Sequence, residues 1–583
     1  MHQARPESTA DVKTDDVKSE SCSDFSRRDL LKGGVAAGLV GGLGLGAAYF
    51  GYDRRLIRPV RIGVIGTGDE GNVLIGSLNP EFVDVVAIAD IRPYNVYRAF
   101  NGDESSDNAL KVRPGLVKVF GHANETEARK HIKVYEDKYT DLLDDPNVEA
   151  VIVALPLHLH AEASIEAMRR GKHVLCEKLM AHSVHECKEM ARVAEETGKL
   201  LAVGHQRHYS VLYDQARRAI QRGVIGDVHH IRAQWHRGNL PGKDSWQPAL
   251  PDSKMKGDLA KYEKESADLL KRVHEDLAKD KWNPALSARL AAVEKNRRLH
   301  LAKVRDAAVD AAKYGYQSPP APGANGKPRS PLEELIRWRL WDRTGGGLMV
   351  ELGSHQLDAA SIFVNASNDR EGGHGGGHHG VHPLTVYGVG GRHIFPNDRD
   401  AFDHVYCGYE FPGPGYEEDE NKKIVVTYSS INGNGFGGYG ETVMGTKGTM
   451  VVERERDFQI LANSSATTIQ SAKSSGGPTL DTTESGAPVA VQKAVTGPVS
   501  RGYTEQIEHW AWCIRNPAPE HKPRCSPEVA LADAVIALVS NQAMKEERQI
   551  TFQDSWFDIN SDETPEGVAP SVKATGPAKA AHA

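Results

Sequence analysis

Glu351, His355 and Asp358 follow three glycines in the stretch Gly345-Gly346-Gly347-Leu348-Met349-Val350-Glu351-Leu352-Gly353-Ser354-His355-Gln356-Leu357-Asp358. On a helix these spacings put all three side chains on one face. A carboxylate, an imidazole and a second carboxylate beside pliable glycine backbone could move a proton on a small molecule. The same pattern also describes an ordinary polar helix face with one satisfied histidine. A lysine from elsewhere weighs on the choice. Glu177 and Lys178 follow the run Lys172-His173-Val174-Leu175-Cys176, which reads as a strand, and ligands of open parallel sheets bind beyond the carboxyl ends of strands.

The elements that would position these groups begin at Val60-Arg61-Ile62-Gly63-Val64-Ile65, a short β-branched run that reads as a buried strand. Gly66-Thr67-Gly68-Asp69-Glu70-Gly71 follows, then a helical stretch to Leu78, then a second strand, Val83–Ala89, ending at Asp90. This is a G-x-G-x-x-G turn between strand and helix with an acidic residue after the next strand. Gly66 makes the tight turn, Gly68 admits a pyrophosphate to the backbone, Gly71 lets helix and strand pack, and the helix N-terminus faces the phosphates. Thr67 lies within the same cradle. Asp90 would accept the adenosine ribose hydroxyls and so favours NAD; Arg92, able to pair with a 2′-phosphate, leaves NADP open. A further strand, Val148–Ala154, leads to Pro156 and His160. Asp90, Pro156, His160, Glu177 and Lys178 therefore all fall at strand ends, where a nucleotide and its substrate would lie.

These segments, in this order, resemble the glucose–fructose oxidoreductase / inositol dehydrogenase (Gfo/Idh/MocA) family of NAD(P)-dependent oxidoreductases. The resemblance rests on Gly66–Gly71, Asp90, Pro156 with His160, Gly171–Lys178 and Gly345–Asp358. Val203–Arg207, Gly223–Val228 and the block Ile514-Arg515-Asn516-Pro517 with Pro523-Arg524-Cys525-Ser526 are similar as well. The resemblance implies an α/β protein: an N-terminal Rossmann dinucleotide-binding domain, then an α/β domain with a largely antiparallel sheet, and the active site between them. It implies that Lys178 is the lysine of the family's Glu-Lys-Pro motif, and that Glu351 and His355 are its Asp-x-x-x-His pair. His355 would take the hydroxyl proton as hydride leaves the same carbon for nicotinamide, Lys178 would sit by the reacting hydroxyl, and Glu351 would bind and orient. The sequence departs from the family at Leu179, where proline is usual, and at Glu351, one methylene longer than aspartate.

With 583 residues the chain exceeds one ordinary domain, and 26% charged against 39% hydrophobic residues fits a globular protein with loose segments. A net charge of -7 argues against a nucleic-acid partner. Six scattered cysteines suggest neither a disulfide framework nor a zinc site. Histidines 374, 378, 379 and 382 crowd a glycine-rich loop without compact ligand spacing, so no metal is expected. Residues 1–52 read as a disordered start followed by a twin-arginine export signal, Ser26-Arg27-Arg28-Asp29-Leu30-Leu31-Lys32 and the Gly/Ala/Leu run after it. The protein is expected to be periplasmic, or membrane-attached if that signal is not cleaved. The Rossmann domain is expected over 60–180 and the second domain over 181–556. Within the latter, 250–330 reads as an inserted helical hairpin broken at Asn283-Pro284, mainly a solvated decoration, and 462–500 as a flexible loop; 557–583 reads as a disordered tail.

Trp235 and Arg237 end a predicted strand and could stack on and hydrogen-bond a sugar. Arg207 and Tyr209 carry the same reading, and Asp358 is read as supporting either its helix or the substrate. Together these readings predict an exported, homo-oligomeric oxidoreductase moving a hydride between a sugar or polyol hydroxyl and NAD(P). Two other outcomes fit the same scaffold: a glycosidase that uses held NAD for transient oxidation and elimination, and a non-catalytic binding protein.

Overall fold

The structure is a computed structural model and describes residues 49–52, 58–320, 328–369, 380–462 and 501–574. The twin-arginine segment, the histidine-rich loop up to residue 379, and 463–500 lie outside the described residues.

Six short apolar runs form an all-parallel sheet: β1 Val60–Ile65, β2 Val83–Ala89, β3 Lys133–Tyr135, β4 Ala150–Val153, β5 His173–Cys176 and β6 Leu201–Val203, in the order β3-β2-β1-β4-β5-β6. β1, β2 and β4 are buried on both faces, as expected of strands covered by helices on either side. Register brings the strand ends level. Ile65 pairs with both Ala89 and Val153, Val153 with Cys176, and Cys176 with Val203. Gly66, Asp90 and Glu177 consequently emerge on one edge. Helix α1, Asp69–Gly76, packs so closely on the turn that a β-carbon on Gly71 would stand 2.1 Å from the Gly66 carbonyl oxygen. Helix α2, Pro93–Asn101, follows β2, and α3, His160–Arg169, follows β4. The domain extends past the expected boundary at 180, because helix α4, Val184–Thr197, returns the chain to β6. That strand has only three residues, too few to show a period in sequence.

The second sheet has eight strands: β7 Val228–His236, β8 Thr385–Gly391, β9 His404–Pro412, β10 Lys423–Ile431, β11 Tyr439–Gly445, β12 Gly448–Glu453, β13 Asp457–Ala462 and β14 Ile550–Thr551. Their order is β13-β12-β11-β7-β10-β9-β8-β14, antiparallel except where β10 runs parallel to β7. Alternation is clean in β10, where Ile424, Val426 and Tyr428 are buried and Val425 is exposed, so one face carries the core.

The insertion forms two helices, α5 Ser253–Leu277 and α6 Pro284–Arg305, with Asn283 capping the second by accepting from the Leu286 amide (3.1 Å). Leu269, Leu286 and Val293 are buried between them. The hairpin is more than a solvated decoration: Leu299 and Ala302 of α6 pack on Tyr94 and Tyr97 of α2.

Helix α7, Ser354–Asn368, belongs to the core under the second sheet. After the 463–500 segment the chain returns to the first domain: helix α8, Tyr503–Arg515, contributes Ile507, Trp510 and Ala511 to the core around β1. The final long helix is α9, Pro527–Glu546. No helix among the described residues is long and apolar enough to cross a membrane.

Residues 558–574 are not the disordered tail that their Pro/Gly content suggests. Two buried cations of α4 hold them in place. Lys188 donates to the Ser561 and Glu563 carbonyls (3.0 and 2.7 Å), and Arg192 to those of Ile559 and Val572 (2.8 and 2.7 Å). Each buried cation needs these acceptors, so the segment is ordered by partners 367 or more residues away in sequence.

Candidate active site

The level strand ends open into a cavity of about 630 Å³ that runs from Gly66 and Asp90 to Lys178 and Glu351. Gly66 has φ +87°, and a β-carbon there would stand 2.5 Å from the Ala154 carbonyl oxygen. A β-carbon on Gly68 would meet only Asn95 Nδ2 at 3.9 Å, so the backbone is open on the side a pyrophosphate would approach. The N-terminus of α1 lies beside that opening. Its first-turn Asp69, with a side chain 46% exposed, would work against an anion, and its partial desolvation alone would raise its pKa. Arg98, Arg113 and Arg339 outweigh that desolvation and hold this carboxyl well below the usual carboxylate range, so its charge is balanced. The residues present thus fit a dinucleotide.

Asp90 closes the far end. It accepts from the amides of Thr67 and Arg92 (2.8 Å each) and from Asn95 Nδ2 (3.1 Å), while burial raises its pKa. At the near end, the imidazole of His160 lies 2.8 Å from both the Leu155 and Leu179 carbonyl oxygens, tying the loop after β4 to the loop after β5. The Lys178–Leu179 peptide is cis. Lys178 Nζ donates to the Glu351 carbonyl (2.9 Å) and lies 3.5 Å from its carboxylate, whose other oxygen accepts from Arg339 Nε (2.7 Å). Burial would raise the pKa of Glu351, but Arg339 and Lys178 reverse this and bring it to about 2. Beside Lys178, burial and the neighbouring Glu70 push the carboxyl of Glu177 well up, which favours its neutral form.

Met349–Gly353 is a π-turn, and the α-helix starts only at Ser354. A β-carbon on Gly353 would sit 2.5 Å from Met349 Sδ and 3.1 Å from Tyr428 Cε1, so glycine lets both side chains pack against the turn. His355 lies one residue into α7 and is 8% exposed, its ring 5.5 Å from that of Trp235. Trp235 stacks on Tyr439 (4.5 Å, 15°), and the Arg237 guanidinium lies 5.5 Å from the Trp235 ring centre. Burial, then the charges of Lys178 and Arg207, hold the pKa of His355 well below its ordinary value, so the imidazole is neutral.

Residues 60–205 match the model of the oxidoreductase family described as "Oxidoreductase family, NAD-binding Rossmann fold", Gfo/Idh/MocA. The similarity to that family covers residues 60–205, the first sheet and its helices. The chain is 40% identical over 157 residues to a 1,5-anhydro-D-fructose reductase of Ensifer adhaerens (27% of this chain, 44% of the relative). It is 30% identical over 169 residues to an inositol 2-dehydrogenase/D-chiro-inositol 3-dehydrogenase of Lactiplantibacillus plantarum (28% and 41%). It is 29% identical over 216 residues to a glycosyl hydrolase family 109 protein of Solibacter usitatus (36% and 46%). The chain thus spans less than half the length of these relatives.

In the first domain, Gly66, Gly68, Asp90, Arg92, Pro156, His160 and Glu177 line the cavity. Thr67 and Gly71 act from behind it: Thr67 holds Asp90 and Gly71 lets α1 pack. In the second domain the outcome is mixed. Glu351, His355 and Asp358 do not form one face, because the π-turn breaks the 3.6-residue period between the first two. Asp358, 1% exposed, turns inward to His208 Nε2 (2.6 Å) and lies near His205 and Asp533. Burial and the neighbouring Asp358 push the carboxyl of Asp533 well up, which favours its neutral form. Arg207 and Tyr209 are also not substrate ligands. Arg207 is 1% exposed and bonded to Gln356 and Glu455, and the hydroxyl of the fully buried Tyr209 accepts from the Cys525 amide. Arginine and tyrosine suggested sugar contacts by type, but type does not report burial. Sequence reasoning gave no role to Arg339 or Tyr439. Only Arg339 had a signal, its place just before the glycines.

Proposed function

We propose that this protein is an exported NAD(P)-dependent oxidoreductase that transfers a hydride between a sugar or polyol hydroxyl and nicotinamide. One observation carries the reading: a single cavity joins Gly66, Gly68 and Asp90 to the Lys178–Glu351 pair. Bound nicotinamide would supply the hydride chemistry. The chain's own groups supply the rest. The ammonium of Lys178, fixed by Glu351, stabilises the alkoxide that develops on the substrate oxygen. Neutral His355 accepts the hydroxyl proton. Trp235, stacked on Tyr439 and flanked by Arg237, lies beside His355 and outside the residues that line the cavity; we read it as the surface that meets a sugar ring. Purified mature protein, incubated with NAD and a panel of sugars and polyols, is expected to reduce nicotinamide with at least one of them. Absence of reduction with nucleotide demonstrably bound would count against the reading. Twin arginines at 27 and 28 support export, and cell fractionation of R27K/R28K should show the protein retained inside the cell.

A glycosidase acting by transient oxidation and elimination is the second reading, favoured by the match to a glycosyl hydrolase family 109 protein. Release of an aryl glycoside's phenol without net reduced nucleotide separates the two.

A homo-oligomer is proposed from the uncovered face of the second sheet. Tyr387, Val389, Tyr406 and Val425 are exposed there, with Val389 paired opposite Tyr406. Sedimentation should show a species larger than the monomer, and Y387E/V389E should shift it towards the monomer.

A further inference from the structure

The segment that leaves the inserted hairpin, residues 306–316, crosses the rim of the nucleotide cavity and is tied down on both sides. At its start, Asp306, 2% exposed, accepts from Arg92 Nε and a terminal guanidinium nitrogen (3.0 and 2.8 Å) and from the Tyr94 amide (3.0 Å). At its end, the Tyr314 hydroxyl donates to Asp137 (2.6 Å), Lys313 pairs with the same carboxylate, and Gly315 turns the chain at φ +81°. Tyr316, 4% exposed, packs with Ala311 and Leu335 and meets the edge of His158 at 5.6 Å. Lys313, Tyr314, Gly315 and Tyr316 line the same cavity as Asp90 and Arg92. The insertion therefore contributes to the wall around the adenosine end.

We propose that residues 306–316 form a strap over the adenosine end of the cavity, and that Asp306, by occupying Arg92, selects NAD over NADP. The proposal rests on the reading of this cavity as a dinucleotide site. A 2′-phosphate needs a cation beside the position of Asp90. Among the described residues, each cation that lines that side of the cavity faces a carboxylate: Arg92 faces Asp306, Lys313 faces Asp137, and Arg98 faces Asp69 and Asp103 (2.7 and 3.4 Å). A phosphate dianion would add charge beside Asp90 without gaining an unengaged partner. A strap pinned at both ends must also loosen before a nucleotide seated beneath it can leave, so it slows release. Asp306 is a positioning residue: it acts through Arg92.

Dissociation constants for NAD and NADP, and the NAD release rate by stopped-flow fluorescence, test this on the full chain. Wild type is expected to bind NAD more tightly. D306N, which frees the Arg92 charge, should lower the ratio of the NADP to the NAD dissociation constant by about ten-fold or more. R92A in the D306N background should restore the wild-type ratio. Y314F/K313A, which unpins the other end, should speed NAD release. An unchanged ratio in D306N, or wild-type release in Y314F/K313A, overturns the proposal. If D306N does not fold, R92A decides alone: with Arg92 already occupied, its loss should spare NADP affinity, and a selective fall in that affinity overturns the proposal. A wild-type protein that binds NADP as tightly as NAD overturns it while sparing the dinucleotide reading. A wild-type protein that binds neither nucleotide refutes that reading itself.

Discussion

Alanine at His355 is expected to lower turnover by about 10²–10⁴-fold with the fold intact, the range for loss of a positioned acid/base. Lys178→Ala should cost about 10²–10³-fold, as for removal of one group that stabilises a developing oxyanion. Steady-state kinetics on whichever sugar or polyol proves active, together with circular dichroism of each variant, would check both. Turnover unchanged in both variants would exclude catalysis by this site. His355 also fixes the pH dependence. Its pKa lies well below the ordinary value through burial and through the charges of Lys178 and Arg207. The base form therefore persists as pH falls through about 6.5, where a free histidine would be half protonated. Oxidation should accordingly show no limb near that value that disappears in His355→Ala. The stability sign follows from the same shift. An imidazole with a lowered folded-state pKa binds its proton more readily when unfolded, so its contribution is complete above about pH 6.5 and declines as the pH falls.

Loss of Arg207 should be felt in stability before substrate binding. Arg207→Ala is expected to cost about 3–5 kcal/mol, the range for breaking a buried ion pair from one side. The arginine is 1% exposed, pairs with Glu455 at 2.8 Å, donates to Gln356 at 2.6 Å and lies over the Tyr213 ring at 5.4 Å. Glu455 keeps Arg501 at 2.9 Å, which places the cost towards the lower end. Burial already raises the pKa of nearby Glu441 to about 7 despite the pull of Arg207, so removing the arginine raises it further. Urea unfolding should show a lower midpoint with an unchanged slope. A raised KM with an unchanged unfolding midpoint would instead return Arg207 to the substrate site.

The two arginines that follow the Rossmann motif show how far residue type carries. Arg92 was legible as a group able to meet a 2′-phosphate, because its distance from Asp90 along the chain is short and fixed. Its actual partner, Asp306, lies 214 residues away, and no local pattern announces it. Arg207 looked like a sugar ligand by type alone, and burial assigns it to the core.

The glycine turn, the strand–helix–strand order, Asp90 and the Lys178 strand end were determined by the sequence itself, since each depends on contacts within a few residues and on backbone freedom that only glycine supplies. The helical hairpin of the insertion was equally local, set by apolar spacing and by Asn283-Pro284. Only the tertiary structure decided which face each polar group of the Gly345–Asp358 stretch would take. The π-turn sends Glu351 to Lys178 and Arg339, leaves His355 beside Trp235, and buries Asp358 with His208. The reason is that a buried charge takes its direction from the partner that compensates it, and those partners come from strands, loops and an insertion far along the chain.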